Sequence, residues 1–239
     1  MRREWTNKIR FVLDELIPPI IRDSGWFMWP FYVMAYGKFS VHDLMNFKSR
    51  AYKMTEAEYA EFYGSLGGSI SRRRDTDLNV ESIDYLLGKI GDEKKCSVLD
   101  VGAGNGYLLT QIAALKNCDR MTGVDVAPME KLTARFETYA GSLPVLPFKD
   151  KEFTYVICTH VMEHVLDAVA SAKELLRIAQ SHVLIVVPRQ RYYYYTLDEH
   201  LNFYPNVEIL MRLFAPYEVT VTLLAGDWAL CVDLNKRGM

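Results

Sequence analysis

The stretch Ser97-Val-Leu-Asp-Val-Gly-Ala-Gly-Asn-Gly-Tyr107 joins an apolar, β-branched run to a turn with glycine at three alternate positions. The apolar run is typical of an interior parallel strand, and residues 107–115 repeat their apolar side chains at helical spacing. Glycine permits backbone angles that other residues avoid, and it exposes amide groups to a ligand at the N-terminus of the helix. The stretch therefore predicts a strand, a ligand-binding turn and a helix, with a nucleotide-like ligand.

Two acidic residues narrow the identity of that ligand. A dinucleotide fingerprint reads G-x-G-x-x-G, but here the third glycine comes one residue early and Asp100 closes the strand. Asp125 follows the turn by about 20 residues, the separation at which an acid holds ribose hydroxyls. A carboxylate accepts two hydrogen bonds from a diol. An ordinary strand-turn-helix unit with a capping acid is the alternative, and it leaves the second acid unexplained.

These patterns, D-x-G-x-G-x-G and Gly123-Val-Asp-Val-Ala-Pro128, resemble the first two motifs of class I S-adenosylmethionine (SAM) methyltransferases of the small-molecule type 11-like kind. The segment 141–153 is similar to the family's G-D-A-x-x-L-P-F-x-D-x-x-F segment beneath the adenine, with Ser142 in place of the usual acid. The resemblance implies SAM as methyl donor and S-adenosylhomocysteine as product. The cofactor-binding residues that it implies are Asp100, Gly102, Ala103, Gly104, Asn105, Gly106, Asp125, Val126, Ser142, Leu143 and His160.

The same resemblance implies an α/β fold with a Rossmann-like, seven-stranded methyltransferase sheet whose last strand is antiparallel. We expect residues 91–239 to form this catalytic domain and residues 1–90 to form a helical N-terminal cap. The residues between Pro128 and a strand expected at 134–139 leave room for no more than one helical turn. Strands are also predicted at 155–159 and 182–187, and a closing hairpin at 217–224 and 228–234.

Composition limits the class of protein. Half of the residues are apolar, and the formal net charge of −2 gives no bulk attraction to nucleic acid. The four cysteines form no C-x-x-C pair, so we expect them to be reduced and structural. The N-terminus reads as an amphipathic segment and not as a secretory signal, which makes the cytoplasm the predicted compartment.

The aromatic segment 16–36 and the arginine run 72–74 have functional and plain structural interpretations. Charged residues, glycine and proline interrupt the aromatic segment, so it is too short to span a bilayer. We expect it to cover the catalytic domain or to form a homodimer contact, with peripheral membrane contact as the alternative. The arginine run is interpreted as a solvated surface and not as a phosphate site.

The pentapeptide His160-Val-Met-Glu-His164 follows the predicted fourth strand, at the sheet edge where open α/β sheets bind ligands. Its H-x-x-E-H spelling matches an inverted zinc-peptidase motif, which would make the protein a metal hydrolase. Its position directly after a strand argues against that alternative, and no metal is assigned. Some quinone O-methyltransferases do place a divalent ion on a comparable acid-rich segment. His164 also has a purely structural interpretation, in which it orients the helix that follows.

A long loop at 189–204 carries four consecutive tyrosines, Tyr192 to Tyr195, and is predicted to form the acceptor pocket together with the N-terminal helices. His160 and His200 are the candidate general bases for a hydroxyl acceptor, with Glu163 and His164 as outer alternatives. The predicted function is SAM-dependent O-methylation of a small-molecule or lipid- or glycan-linked acceptor. The chain has no basic, aromatic-interleaved face for nucleic acid. A SAM-binding interaction protein without turnover is the alternative from another class.

Overall fold

The structure is a computed structural model that describes residues 12–37, 41–65, 75–92, 94–126 and 136–238. Five sequence features lie outside these ranges. They are the start of an apolar helical stripe expected from Trp5 and Ile9 onward, a hinge-like glycine loop expected at 67–71, the arginine run at 72–74, the short segment at 129–133 and the start of the strand expected at 134–139.

Among the described residues, seven strands form one sheet in the order β3-β2-β1-β4-β5-β7-β6. The strands are β1 Cys96–Val101, β2 Cys118–Asp125, β3 Glu137–Ala140, β4 Phe153–Thr159, β5 Ala179–Pro188, β6 Tyr217–Leu224 and β7 Asp227–Arg237. Strands β1 to β5 pair in parallel, and β7 runs antiparallel to both β5 and β6. The predicted sheet with an antiparallel last strand is therefore confirmed, and β7 extends further than expected.

Helices precede the sheet and cover it. The described α-helices are α1 Pro19–Arg22, α2 Gly25–Tyr36, α3 Val41–Met45, α4 Phe47–Ala51, α5 Glu56–Ser65, α6 Val80–Gly91, α7 Tyr107–Ile112, α8 Ala168–Ile178 and α9 Val207–Met211. The side chain of Asn79 accepts a hydrogen bond of 2.8 Å from the amide of Ser82, which makes Asn79 the N-cap of α6. No helix in the described ranges is long and apolar enough to cross a membrane.

Successive residues of β1 bury opposite faces of the sheet, as the pleat requires. Leu99 packs in the core on the side of α8 and α9, and Val98 packs in the core on the side of α6 and α7. Both faces are covered, which explains why the parallel strands are apolar almost throughout. Helix α6 packs Leu86 and Ile90 on the sheet, while the predicted domain boundary at residue 90 stays a prediction.

Two smaller apolar clusters join the N-terminal helices to the loop that follows β5. Met28, Tyr32 and Leu44 pack against the loop residues Tyr195 and Leu197. The second cluster combines Phe47, Ala51 and Tyr59 from α4 and α5 with Leu201 of the loop. Because this loop leaves the carboxyl end of β5, the helices α1 to α5 lie over the carboxyl edge of the sheet.

Candidate active site

The turn after β1 has the backbone conformation that its glycines allow. Gly102, Gly104 and Gly106 have φ angles of +78°, +54° and +75°. A Cβ atom on Gly102 would lie only 2.2 Å from Cγ2 of Val161, whereas a Cβ atom on Gly104 would meet nothing within 4 Å. Packing against the segment after β4 therefore excludes a side chain at Gly102. Gly104 lies against open space, as a backbone that receives a ligand would.

The two acids predicted to bind the cofactor lie at this turn. Oδ2 of Asp125, at the end of β2, accepts a hydrogen bond of 2.9 Å from the Gly104 amide. Asp100 is buried, and its Oδ1 atom has no hydrogen-bond partner. Burial and the nearby charge of Asp125 raise the pKa of Asp100 to about 7. A buried carboxyl oxygen without a partner, beside an open glycine turn, fits a ligand that brings a hydrogen-bond donor such as an ammonium group.

The segment after β3 completes this side of the site. The amide of Gly141 donates to the backbone carbonyl of Asp125 over 3.0 Å, which places the segment beside the end of β2. Ser142 pairs with Val145 in an isolated bridge, and Leu143 is buried. The structure thus brings Ser142 and Leu143 to the same sheet edge as the two acids.

His160 is the first residue after β4, and it has a φ angle of +53°. Its Nδ1 atom lies 3.2 Å from Oε1 of Glu163, and its Nε2 atom lies 3.6 Å from Oδ2 of Asp227. Burial lowers the pKa of His160, but the carboxylates of Asp227 and Glu163 outweigh it and raise the pKa to about 10. The imidazole is therefore charged at neutral pH, and a charged imidazole has no lone pair with which to accept a proton.

Glu163, His164 and His200 form a compact cluster. One nitrogen from each histidine and one carboxylate oxygen lie within 4.8 Å of one another. The Nδ1 atom of His164 is 3.3 Å from the carbonyl oxygen of Glu199, and that of His200 is 2.7 Å from Oε1 of Gln190. Burial lowers the pKa of His164, which favours its neutral form.

Backbone hydrogen bonds hold the two halves of this cluster together. The amides of Leu201 and Asn202 both donate to the carbonyl of Glu163, over 2.8 and 2.9 Å. The side-chain amide of Asn202 donates to the carbonyls of Met162 and Val165, over 3.1 and 2.7 Å. The loop after β5 is therefore bound to the turn after β4, and His200 is held beside Glu163 and His164.

The cap helices cover the cluster. The hydroxyl of Tyr59 donates to the carbonyl of His164 over 2.5 Å, and the ring of Tyr63 lies 5.3 Å from the His164 ring. Both tyrosines belong to α5. Helix α5 therefore lies next to the turn that carries the site residues.

Buried charges from the cap hold the tyrosine loop. Lys48 is buried, and its ammonium group donates to the carbonyl of Tyr193 and lies 4.4 Å from the ring centre of Tyr192. Arg22 is also buried and donates to the carbonyl of Tyr195 over 2.7 Å. Burial lowers the pKa of Lys48 to about 7. Of the four tyrosines, Tyr193 is buried and Tyr192 is exposed.

Four residues at or beside the site were not singled out as site residues from the sequence: Lys48, Gln190, Asn202 and Asp227. Asp227 was predicted only as a turn residue of the closing hairpin. It reaches His160 because it pairs in register with Pro188, the last residue of β5. Asn202 lies in the predicted acceptor loop 189–204, but nothing in the sequence singles it out, since its contacts are with backbone atoms far away in sequence. No local pattern marks Lys48 or Gln190.

Comparison with known proteins gives the following matches. A family model described as a methyltransferase domain matches residues 71–221. An uncharacterised protein of Methanocaldococcus jannaschii is 30% identical over 115 residues, which make up 46% of this chain and 49% of that protein. The chain thus spans about half the length of this curated relative.

Solved structures with the same fold include a SAM-dependent methyltransferase from Aquifex aeolicus, with a TM-score of 0.53 and 16% identity over 76% of this chain and 99% of that one. A complex of the Haloferax volcanii Trm112 methyltransferase activator with a proposed methyltransferase gives a TM-score of 0.54 and 16% identity, covering 74% of this chain and 96% of that one. At this level of identity the likeness concerns the fold.

Proposed function

The chain belongs to the methyltransferase family, with SAM as the cofactor, and from this premise we propose that it methylates a hydroxyl of a small-molecule or lipid- or glycan-linked acceptor. One observation carries the proposal. The glycine turn and the segment 160–164 follow neighbouring parallel strands, since Val101 of β1 pairs with Cys158 of β4. A cofactor at the turn would therefore lie beside the histidine and carboxylate cluster.

The residues of the first half of the sheet are assigned to the cofactor. Asp100 would receive the ammonium group, and Asp125 would exchange its hydrogen bond with Gly104 for the ribose hydroxyls. The backbone from Gly102 to Gly106 would approach the ligand closely. Val126, Ser142 and Leu143 would lie along the adenine. This assignment is supported by the unpartnered Oδ1 atom of Asp100 and by the open space at Gly104.

When bound, SAM supplies a methyl group on a sulfonium, which a nucleophile displaces in line. The chain has to hold the acceptor oxygen at that methyl and to keep water away. The cap helices and the loop 189–204 are assigned to this enclosure. The hydrogen bonds from Lys48 and Arg22 to the loop carbonyls support the assignment, because they join the two parts of the enclosure.

Handling of the acceptor proton is assigned to the cluster of Glu163, His164 and His200. From the sequence, His160 and His200 are the candidates for this role, with Glu163 and His164 as outer alternatives. The charge of His160 at neutral pH favours a different role, in which it positions the buried Glu163 and balances the carboxylates of Glu163 and the partly buried Asp227. Burial lowers the pKa of His164, so its neutral form keeps a lone pair.

The exposed apolar surface of α1 and α2 supports a lipid-linked acceptor within this proposal. Ile20, Trp26 and Met34 are 85, 76 and 70% exposed, and Trp29 is also exposed. Tryptophan side chains at an exposed helix surface suit a membrane interface. A second copy of the chain is the alternative occupant.

The test is transfer of labelled methyl from SAM. The purified chain is incubated with labelled SAM and with aqueous or lipid extracts, and Asp125→Ala serves as the matched control. Label in a base-stable, ether-type product that the control does not form would support the proposal. Tight SAM binding without transfer to either extract would favour the SAM-binding interaction protein instead.

A further inference from the structure

The cluster of Glu163, His164 and His200 has the composition of a metal site. Two imidazole nitrogens and one carboxylate oxygen converge within 4.8 Å. This is a ligand set that zinc, manganese, iron and cobalt ions accept. Sequence reasoning placed His200 and the H-x-x-E-H segment in one candidate site, and the loop hydrogen bonds to the Glu163 carbonyl bring the three side chains together.

The hydrogen bonds of the two histidines fix the tautomer that a metal requires. The Nδ1 atom of His164 faces a backbone carbonyl oxygen of Glu199, and the Nδ1 atom of His200 faces the side-chain oxygen of Gln190. Both oxygens only accept hydrogen bonds, so Nδ1 carries the proton and Nε2 carries the lone pair. Metal-binding histidines are typically held in this way, with the distal N–H bound to a carbonyl or carboxylate.

A second and independent observation is that one carboxylate oxygen of the buried Glu163 lacks a hydrogen-bond partner. Its side chain is 1% exposed, and its Oε1 atom faces the Nδ1 atom of His160. Its Oε2 atom is buried and has no hydrogen-bond partner. A buried carboxylate oxygen without a partner is unfavourable, and the ion pair with His160 satisfies only the other oxygen. A cation among the three side chains would supply the missing interaction.

From these observations we infer that Glu163, His164 and His200 bind one divalent transition-metal ion. Ligand atoms at about 2.1 Å from a tetrahedral ion lie roughly 3.4 Å apart, so separations that now reach up to 4.8 Å have to shorten by up to about 1.4 Å on binding. Three protein ligands leave at least one position open, as in catalytic sites. In one respect the inference rests on the proposed function: an acceptor hydroxyl is the expected occupant of that open position. The metal would occupy the lone pairs of His164 and His200, so it would lower the pKa of that hydroxyl in place of proton transfer to either histidine.

Cobalt binding tests the site without any enzymatic assay. The full chain is treated with a chelator, dialysed and titrated with Co²⁺, and the visible d–d absorption and the enthalpy of binding are recorded. We expect one Co²⁺ per chain, displaced by an equivalent of Zn²⁺. His200→Ala and the isosteric Glu163→Gln should each weaken binding at least 100-fold, and Gln190→Ala should weaken it by about 10–100-fold. The exposed His42, changed to alanine, is the control and should bind as the wild type does.

The inference is overturned if the wild-type chain binds no stoichiometric Co²⁺, or if Glu163→Gln and Gln190→Ala bind it as tightly as His42→Ala does. Circular dichroism of each variant shows whether a loss of binding reflects unfolding, and the wild-type titration decides the matter even if a variant fails to fold. The titration contains neither SAM nor acceptor. A chain that binds no Co²⁺ would therefore not contradict the proposed methyl transfer, and a chain that transfers no methyl group would not contradict the proposed metal site.

Discussion

His160 and Glu163 form a buried ion pair in which Nδ1 of the imidazole lies 3.2 Å from Oε1 of the carboxylate. The pair follows directly on β4, at the edge of the sheet where the candidate site lies. Asp227 lies on the other side of the imidazole, 3.6 Å from Nε2. One histidine thus balances two carboxylates in a part of the molecule from which water is largely excluded.

Removing the imidazole should cost stability because it leaves Glu163 buried without a charged partner. We expect His160→Ala to lower the free energy of unfolding by about 3–5 kcal/mol. Adding Glu163→Gln to that variant should recover at least about 1 kcal/mol, since the uncompensated charge is then gone. Urea denaturation of the two single variants and the double variant measures this coupling. Simple additivity of the two single effects would mean that the ion pair does not form.

Asp125→Ala should weaken SAM binding by on the order of 1.5–3 kcal/mol, because hydrogen bonds to a charged group are lost. The affinity is measured by isothermal titration calorimetry. Asp119→Ala is the matched control. Asp119 is an exposed acid on the same strand as Asp125, and its carboxylate forms an ion pair with Lys95. If the two variants bind SAM with equal affinity, Asp125 does not contact the cofactor.

Substitutions at two glycines of the turn should separate packing from ligand binding. Gly102→Ala places a Cβ atom 2.2 Å from Val161, so we expect a loss of stability. Gly104→Val projects into open space, so the domain should stay folded at a cost of about 1–2 kcal/mol for its positive φ angle, while SAM binding is abolished. Thermal melting and SAM titration of both variants check this. Normal SAM binding by Gly104→Val would show that this turn does not hold the cofactor.

Asp100 should make the SAM-free protein less stable as the pH rises. Its pKa is raised from the ordinary 3.8 to about 7, so the folded state favours the protonated carboxyl. The contribution to stability is complete below pH 4 and is lost as the pH rises through 7. Asp100→Asn keeps a neutral group, so its stability relative to wild type should increase from pH 5 to pH 8, by roughly 2–4 kcal/mol in all.

Urea denaturation at several pH values, with SAM removed, measures this difference. The comparison of two proteins cancels the titration of all other groups. Parallel stability curves for wild type and Asp100→Asn would contradict the raised pKa. The variant should also bind SAM more weakly, because an amide replaces the carboxylate that faces the ammonium group.

The exposed tryptophans of α2 provide a test of lipid contact. We expect the wild-type chain to sediment with phospholipid vesicles and the double variant Trp26→Ser, Trp29→Ser to stay in the supernatant. Exposed side chains contribute little to folding, so its melting temperature should be unchanged. Light scattering after gel filtration reports the oligomeric state. A dimer that the double variant loses, without vesicle binding by either protein, would assign the surface to a second copy of the chain.

Much of the cofactor side of the site was predictable because it is local in sequence. The strand, the glycine turn and the helix lie within residues 96–112, and their hydrogen bonds form between near neighbours. Glycine at positions 102, 104 and 106 predicts positive φ angles there, since few other residues adopt such angles. Even Asp125, at the end of the next parallel strand, follows from the regular geometry of a strand-helix-strand unit.

The charge of His160 was not predictable. The sequence made it a candidate base, but the pKa of a histidine depends on the groups that surround it in space. Asp227 lies far along the chain and reaches His160 only because β7 runs antiparallel beside β5. The order of strands in the sheet therefore decided which carboxylates face the imidazole.

By itself, the sequence predicted the strand, the glycine turn and the helix at 96–112, because periodicity, glycine and strand-terminal acids act over short distances along the chain, and its resemblance to class I SAM methyltransferases implied the seven-stranded sheet. Only the tertiary structure decided that Glu163, His164 and His200 come together. Their convergence depends on the position of the loop after β5. Asn202 of this loop donates to a backbone carbonyl in the turn after β4, and Lys48 and Arg22 of the N-terminal helices donate to backbone carbonyls of the loop. Such contacts join side chains to backbone carbonyls. Because every residue has a backbone carbonyl, no pattern of residue types predicts which one will be the acceptor.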